Sequence, residues 1–314
     1  MNSTPPAIDT RGLARSFGSV QAVRGLDLAV GRGEMFGLVG PDGVGKSTAI
    51  RLLCGILEPT GGSGRILGYD LTTQPEEVKA RIGYLSQNFT LYGDLSVDEN
   101  IQFFAEIHEV SDFKKRREEL LDFTRLTTFR GRLAADLSGG MKKKLALACT
   151  LIHMPDLIFL DEPSTGVDPV SRGEFWNILS GIMARGVTIL LTTPYLDEAE
   201  RCSRIGLMHG GRIHFTGTPD EVRGAMPGKL FWIDCPSPLN AHRALRKKWP
   251  TTSLMLCGTR LSFWTISGTD EVSSVCRWLD DAGFGPSGFK PKVPSLEDVF
   301  VAMITSNSSG GLIK

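Results

Sequence analysis

Gly40-Pro41-Asp42-Gly43-Val44-Gly45-Lys46-Ser47 fits the spacing G-x-x-x-x-G-K-[ST]. Those residue types at that spacing suit one chemistry. Glycine allows backbone angles and close approach that a side chain forbids, so successive amide N–H groups can surround phosphates. A helix N-terminus behind the loop adds its dipole. Lys46 would then reach the β- and γ-phosphates of a nucleotide, and the Ser47 hydroxyl would ligate Mg²⁺. Residues 40–48, ending on Thr48, form the candidate nucleotide cradle. A chance glycine-rich turn would lack the flanks this loop has. Met35-Phe36-Gly37-Leu38-Val39 reads as a short buried strand, and residues 48–55 read as a helix closed by Gly55.

Leu157-Ile158-Phe159-Leu160 runs straight into Asp161-Glu162. That places two carboxylates at the C-terminal edge of a buried strand, where ligands collect in open α/β sheets. Asp161 would hold Mg²⁺ through water, and Glu162 would orient or deprotonate an attacking water. An apolar run followed by Asp-Glu usually marks only a strand leaving the core. About a hundred residues after a phosphate loop, the pair gains meaning. A third motif, Leu137-Ser138-Gly139-Gly140-Met141, precedes a helix rich in lysine. Ser138 is a natural N-cap. Two glycines there weaken the helix unless something needs close backbone access, and a second phosphate contact is one such need.

The elements that must position these residues follow from the pattern along the chain. Residues 8–30 alternate apolar and polar with interspersed glycines, as an antiparallel N-terminal sheet would. Ile82-Gly83-Tyr84-Leu85-Ser86 is a short strand ending at Gln87, and residues 96–136 are charged and helical. Within them Lys114-Lys115-Arg116-Arg117-Glu118-Glu119 reads as a solvated helix face. Val187-Thr188-Ile189-Leu190-Leu191 is an unbroken run of the kind found in parallel strands covered on both faces. Composition shifts at residues 224–228. Beyond that point strand 230–235, helix 239–249, strands 253–257 and 261–266, helix 270–282 and strand 284–290 give the split β-α-β order of a ferredoxin-like domain. A short helix over 295–303 and a Ser/Gly tail close the chain.

At 314 residues the chain can form one large and one small core. Its 35 basic and 35 acidic residues cancel, which argues against a nucleic-acid binder. No apolar run is long enough to span a bilayer, and the first residues carry no secretory signal, so a cytoplasmic chain is expected. The six cysteines form no C-x-x-C pair and read as buried thiols, while the five histidines are dispersed and carry no expected metal role.

These motifs together resemble the ATPase subunits of ABC transporters across residues 8–225. The likeness rests on the phosphate loop, Gln87, Leu137-Ser138-Gly139-Gly140, Leu160-Asp161-Glu162-Pro163 and Ser164-Thr165-Gly166-Val167-Asp168. Phe36-Gly37-Leu38, Tyr92-Gly93-Asp94-Leu95-Ser96, Tyr195-Leu196-Asp197-Glu198-Ala199-Glu200 and Ser295-Leu296-Glu297-Asp298-Val299-Phe300 narrow it to the ABC-2-type exporter ATPases. The resemblance implies an α/β fold of the P-loop NTPase, ABC ATPase type. Its parts would be a mixed sheet core, the antiparallel N-terminal sheet and a helical subdomain over about residues 88–150, all within 1–225. The ferredoxin-like α+β domain would occupy 226–304 as a regulatory or dimer-stabilising appendage, with a flexible tail at 305–314. It implies ATP and Mg²⁺ as cofactors, with Phe17 stacked on adenine, Gln87 touching Mg²⁺ and sensing a membrane partner, and Asp168 at a dimer seam. Two such domains sandwich two ATP molecules, Ser138, Gly139 and Gly140 of one covering the phosphate loop of the other.

One departure from the family pattern stands out. A histidine usually follows the strand that here reads Thr188-Ile189-Leu190-Leu191-Thr192-Thr193, and this chain has Pro194. Proline has no polar side chain with which to hold a γ-phosphate or water. Three accounts compete: a slow site paired with a different ATPase chain whose site Ser138-Gly139-Gly140 completes, a slow homodimer relying on Glu162, or an ATP-bound clamp that scarcely turns over. The first resembles the first half of a tandem two-ATPase exporter standing alone. Asp42 in place of a frequent Asn and Met141 in place of a frequent Gln are smaller departures. The leading expectation is the ATP-hydrolysing subunit of an ABC-2-type exporter, docked at the inner face of the cell membrane on separate permease subunits. The alternatives are a soluble ABC ATPase acting on ribosomes or DNA, which the single ATPase domain and zero net charge disfavour, or a catalytically weak ATP-binding scaffold.

Overall fold

Unbroken apolar runs dictate where the central sheet lies. In the computed structural model, which describes residues 5–88, 91–249 and 254–308 (304–308 by backbone alone), every residue of β3 (Met35–Val39), β7 (Leu157–Asp161) and β8 (Thr188–Thr193) is buried. With β6 (Ile82–Leu85), β9 (Arg204–His209) and β10 (Arg212–Gly217) they form one sheet in the order β10-β9-β3-β8-β7-β6. The pairs β3/β8, β3/β9, β7/β8 and β6/β7 are parallel. Only two residues, Gly210 and Gly211, both at positive φ, join β9 to its neighbour β10, and so short a turn makes that edge antiparallel. The sheet is therefore mixed, as expected.

A second sheet is built from β1 (Ile8–Phe17), β2 (Val20–Val30), β4 (Gly61–Ile66) and β5 (Tyr69–Asp70), ordered β2-β1-β4-β5 and antiparallel throughout. Between the two sheets lies α1 (Lys46–Leu53), whose Ala49, Ile50 and Leu53 share a core with Ile8, Phe36 and Phe159. Helix α2 (Pro75–Lys79) begins on a proline that fixes its first turn.

Three helices make the subdomain that carries the Ser138 motif: α3 (Val97–Ile107), α4 (Phe113–Thr124) and α5 (Gly139–Leu151). A capping box between Ser96 and Glu99 starts α3. Fully buried Asn100 then donates to the carbonyls of Tyr92, Leu95 and Ser96, which fixes the loop entering the helix. The charged run on α4 is only partly a solvated face. Arg117 is mostly buried and lies 3.6 Å from Asp98, while Arg130 bonds both Asp98 and Glu118. Asp168 caps α6 (Pro169–Ala184), accepting from the amides of Val170 and Ser171, and the short α7 (Leu196–Ala199) follows β8.

The chain divides into two compact units between Thr216 and Gly217, rather than after residue 225. The reason is that α8 (Pro219–Gly224) packs on the C-terminal helix α11 (Leu296–Ser308) and belongs with it. The second unit runs β11 (Lys229–Asp234), α9 (Pro238–Lys248), β12 (Leu254–Cys257), β13 (Arg260–Thr265), α10 (Thr269–Asp281), β14 (Gly288–Lys292), then α11. Its antiparallel sheet, β12-β13-β11-β14, has the ferredoxin-like order. The last strand starts four residues later than the sequence suggests, because Phe284 closes α10 instead, its amide bonded to the Leu279 carbonyl. Helix α11 continues to Ser308, where a tail was expected from residue 305; residues 309–314 and Ser253 lie outside the described residues. Cys54, Cys149, Cys202 and Cys235 are buried and all six cysteines are free thiols, though Cys257 and Cys276 are half-exposed.

Candidate active site

The loop after β3 has no space for side chains at two of its glycines. A Cβ on Gly40 would collide with the Met208 carbonyl, and one on Gly45 with the Ala22 carbonyl. Gly45 also has φ 105°, a value that L side chains rarely adopt, and it starts α1 without a side-chain cap. The first-turn amides of α1 are therefore left for a ligand. Gly40 N–H is tied to the Thr193 carbonyl at 3.3 Å, joining the loop to β8.

Lys46 is 3% exposed and its ammonium sits inside the loop, donating to the carbonyls of Gly40 (2.8 Å) and Pro41 (3.0 Å). It lies 3.2 Å from Glu162 Oε1 and 3.6 Å from Asp42 Oδ1. Ser47 donates to Asp161 Oδ1 at 2.9 Å, and Thr192 donates to the same oxygen at 2.7 Å. That second bond follows from register, since Asp161 pairs with Thr192 across β7 and β8. The Thr192 hydroxyl also accepts from the Glu162 amide at 3.0 Å. Glu162 itself has φ 47°, a strained value for a non-glycine residue, and this turns its side chain out of the strand to meet Lys46. Gln87, just past β6, donates to Glu162 Oε2 at 3.0 Å. The structure thus brings Lys46, Ser47, Gln87, Asp161 and Glu162 to one edge of the parallel strands.

The donor set fits a phosphate chain with a hard cation. Ser47, Asp161 and the Gln87 amide offer oxygens of the type Mg²⁺ prefers, and glycines let the main chain of the loop turn where a Cβ would strike the Met208 and Ala22 carbonyls. Among the described residues no group of three or more His, Cys, Asp or Glu could hold a metal by itself. Phosphate oxygens would have to complete such a sphere.

Ser138 caps α5, accepting from the Met141 amide at 3.3 Å. Gly140 has a packing reason to be glycine: a Cβ there would lie 2.5 Å from both Cβ and Oγ of Ser171 on α6. Gly139 has no such neighbour, its Cβ position being 3.8 Å from the Gly166 carbonyl. Gly139, Gln87, Lys142 and Lys143 line a cavity of about 520 Å³. Lys143 donates to the Gln87 carbonyl at 2.9 Å, linking the helical subdomain to the acidic cluster. Burial pushes the Lys143 amine below its usual range, against the opposing pull of Asp161. Phe17 is 46% exposed, with the Arg15 guanidinium 4.8 Å from its ring centroid.

Sequence reasoning missed Thr192, Thr193, Ser164 and Glu198. Thr193 donates to Glu198 Oε2 at 2.6 Å, and Ser164 donates to Glu198 Oε1. Half-buried Pro194 follows directly. Two adjacent threonines after the apolar run Ile189-Leu190-Leu191 were the available signal. The histidines are less dispersed than they looked, because His108 and His153 stack at 3.9 Å between α3 and the end of α5.

Comparison with known families matches residues 23–165 to "ABC transporter". The sequence is 40% identical over 219 residues to the "Probable multidrug ABC transporter ATP-binding protein YbhF" of Escherichia coli (strain K12), covering 69% of this chain but only 38% of that protein. It is 38% identical to the "Daunorubicin/doxorubicin resistance ATP-binding protein DrrA" of Streptomyces peucetius, covering 78% of this chain and 76% of the relative. It is 40% identical to the "Nod factor export ATP-binding protein I" of Rhizobium leguminosarum bv. viciae, covering 96% and 95%. A solved "Structure of ATP binding subunit of ABC transporter" aligns with a TM-score of 0.63 at 31% identity, over 69% of this chain and 92% of that one.

Proposed function

The chain belongs to the ABC transporter family, and from that premise we propose that it is the ATP-hydrolysing subunit of an ABC-2-type exporter. The observation that carries this is the convergence of Lys46, Ser47, Asp161, Glu162 and Gln87 at one sheet edge. Main-chain amides and Lys46 would hold the phosphates of ATP. Glu162, already oriented by Gln87 and Thr165, would take the proton of an attacking water. Mg²⁺, held by Ser47, Asp161 and Gln87, would neutralise charge on the phosphate oxygens.

Among the described residues no helix is long and apolar enough to cross a membrane, and on this reading permease subunits would carry the cargo. The loop after Gln87 would meet them at the inner face of the cell membrane. Phe17 would stack on adenine. Ser138 and Gly139 would cover the phosphate loop of a second ATPase lobe, while Gly140 serves helix packing. Pro194 makes this chain's own site slow, which favours a heterodimer whose other site these residues complete. The second unit, residues 217–314, would act as a regulatory or dimer-stabilising appendage.

The experiment is direct. The purified full-length chain is titrated with a fluorescent ATP analogue, then extracted with its permease in detergent and assayed for phosphate release. Binding that depends on Lys46, with a co-purifying membrane protein, is the expected result. No nucleotide binding, or recovery on ribosomal particles, overturns it.

A further inference from the structure

Glu198 is 1% exposed, yet its neighbours are chiefly hydroxyl groups and not a bonded cation. Ser164 donates to one carboxylate oxygen and Thr193 donates to the other at 2.6 Å. The nearest positive group, Arg172 Nε, lies 3.8 Å from Oε1 and forms no hydrogen bond of its own. Both hydroxyl donors are themselves buried. A buried carboxylate held this way has two acceptor oxygens matched to two donors, and each donor comes from a different loop.

Those loops bracket the reaction. Ser164 lies two residues beyond Glu162, and the turn that continues from it is closed by the Thr165 amide on the Glu162 carbonyl at 3.3 Å. Thr193 ends β8, and three bonds meet on it. Its carbonyl receives the Gly40 amide, its hydroxyl accepts the Tyr195 amide at 3.0 Å, and that hydroxyl donates to Glu198. One carboxylate therefore ties the segment carrying Glu162 to the end of β8, which leads into Pro194 and holds the Gly40 amide through the Thr193 carbonyl. Pro194 offers no side-chain hydrogen bond, so β8 reaches the cluster through Thr192 and Thr193 alone.

We propose that Glu198 is a positioning residue for ATP hydrolysis, setting the Glu162 carboxylate relative to the phosphate loop through Ser164 and Thr193. The proposal rests on the ATPase reading above and adds a residue that touches neither nucleotide nor water. A carboxylate is needed because an amide offers one acceptor oxygen: in Glu198→Gln the hydroxyl that faces Nε2 can no longer donate to residue 198 and must turn to accept or part. The Thr193 hydroxyl already accepts from the Tyr195 amide, so the bond that changes is the one to Ser164. Displacing a reacting group by a fraction of an ångström acts on turnover more than on ground-state binding.

The test uses the full-length chain in its permease complex, with any partner ATPase's own site silenced so that the rate read is this chain's, comparing wild type, E198Q, E198A, S164A and the S164A/E198Q double variant. ATP affinity, kcat and melting temperature are read on each. E198Q is expected to lower kcat about tenfold while leaving the ATP Kd within about twofold, and S164A should add nothing further in the E198Q background. Wild-type kcat in E198Q overturns the assignment. So does a parallel loss of affinity, kcat and melting temperature, or full additivity of S164A with E198Q. If E198A fails to fold, E198Q carries the comparison. Lys46-dependent phosphate release by wild type in the same preparation reports the ATPase reading separately.

Discussion

Lys46 Nζ lies 3.2 Å from Glu162 Oε1, although one side chain rises from the helix after β3 and the other from the end of β7. Both are nearly buried, and the same ammonium also holds two loop carbonyls. The lysine is thus stationed where phosphates would arrive, neutralised by the residue proposed as base. Binding of a phosphate chain would draw Lys46 from Glu162 and leave the carboxylate free to accept a proton.

That exchange separates two variants. Lys46→Ala should weaken ATP binding on the order of a hundredfold, since a point charge on the phosphates is lost. Glu162→Gln should bind ATP as well as wild type but lose turnover by roughly 10² to 10⁴. Titration with a fluorescent ATP analogue and a phosphate-release assay distinguish them. Equal effects of both variants on binding would show that Glu162 acts only as a buried counter-ion.

Pro194→His, read in a complex whose partner ATPase site has been silenced, should raise turnover by about tenfold, because on the proposed reading a histidine there supplies a donor to the γ-phosphate. Nucleotide affinity should change little. An unaltered rate would mean that β8 limits hydrolysis through Thr192 and Thr193 and not through the residue after them.

How much of this was legible depended on whether the signal was local. The phosphate loop, the strands around it and the Asp161-Glu162 edge are short, contiguous patterns, and the structure has them where the sequence places them. Glu198 was illegible for the opposite reason. It stands between Asp197 and Glu200 on the short acidic helix α7, and the approach of Ser164 and Thr193 determines which carboxylate is buried. Phe284 was misread because an apolar residue after a helix can start a strand or cap the helix. Gly283 at φ 78° settles it as a cap. Gly140 has a packing constraint that the motif does not reveal, because Ser171 stands on α6, 31 residues further along the chain.

The His108–His153 stack gives a pH prediction. It borders a cavity of about 220 Å³ that Lys79, Tyr84, Cys54 and Cys149 also line. Burial, and then the neighbouring His108, push His153 down from 6.5 to about 4. The folded protein therefore disfavours the charged ring, and between those two values the unfolded chain binds more protons. The stability from keeping His153 neutral is complete above about pH 6.5 and is lost as pH falls toward 4. Allowing for partial exposure, this amounts to about 1–2 kcal/mol. His153→Phe keeps an aromatic partner for His108 and removes the titration. Urea midpoints at pH 7 and pH 5 should diverge less in this variant than in wild type, with His108, also lowered by burial, accounting for a remainder of the same sign.

The two glycines after Ser138 should separate packing from ligand contact. An alanine methyl at 140 would meet Ser171 at 2.5 Å, and Ser171 cannot retreat freely because its amide is held by the Asp168 cap at 3.0 Å. Gly140→Ala should therefore cost about 1–3 kcal/mol by overpacking. Ser171→Gly in the same chain removes the colliding atoms and should restore most of the melting temperature. At Gly139 there is room for a methyl, and a helix gains from losing a glycine. Gly139→Ala should leave the melting temperature unchanged or raised. If it nevertheless lowers phosphate release by the complex, the loss lies in what approaches the Gly139 main chain and not in the fold. If release is untouched, nothing approaches position 139 closely enough to need a glycine, and the partner's phosphate loop is met by groups that an alanine keeps, the Ser138 hydroxyl and the main-chain amides.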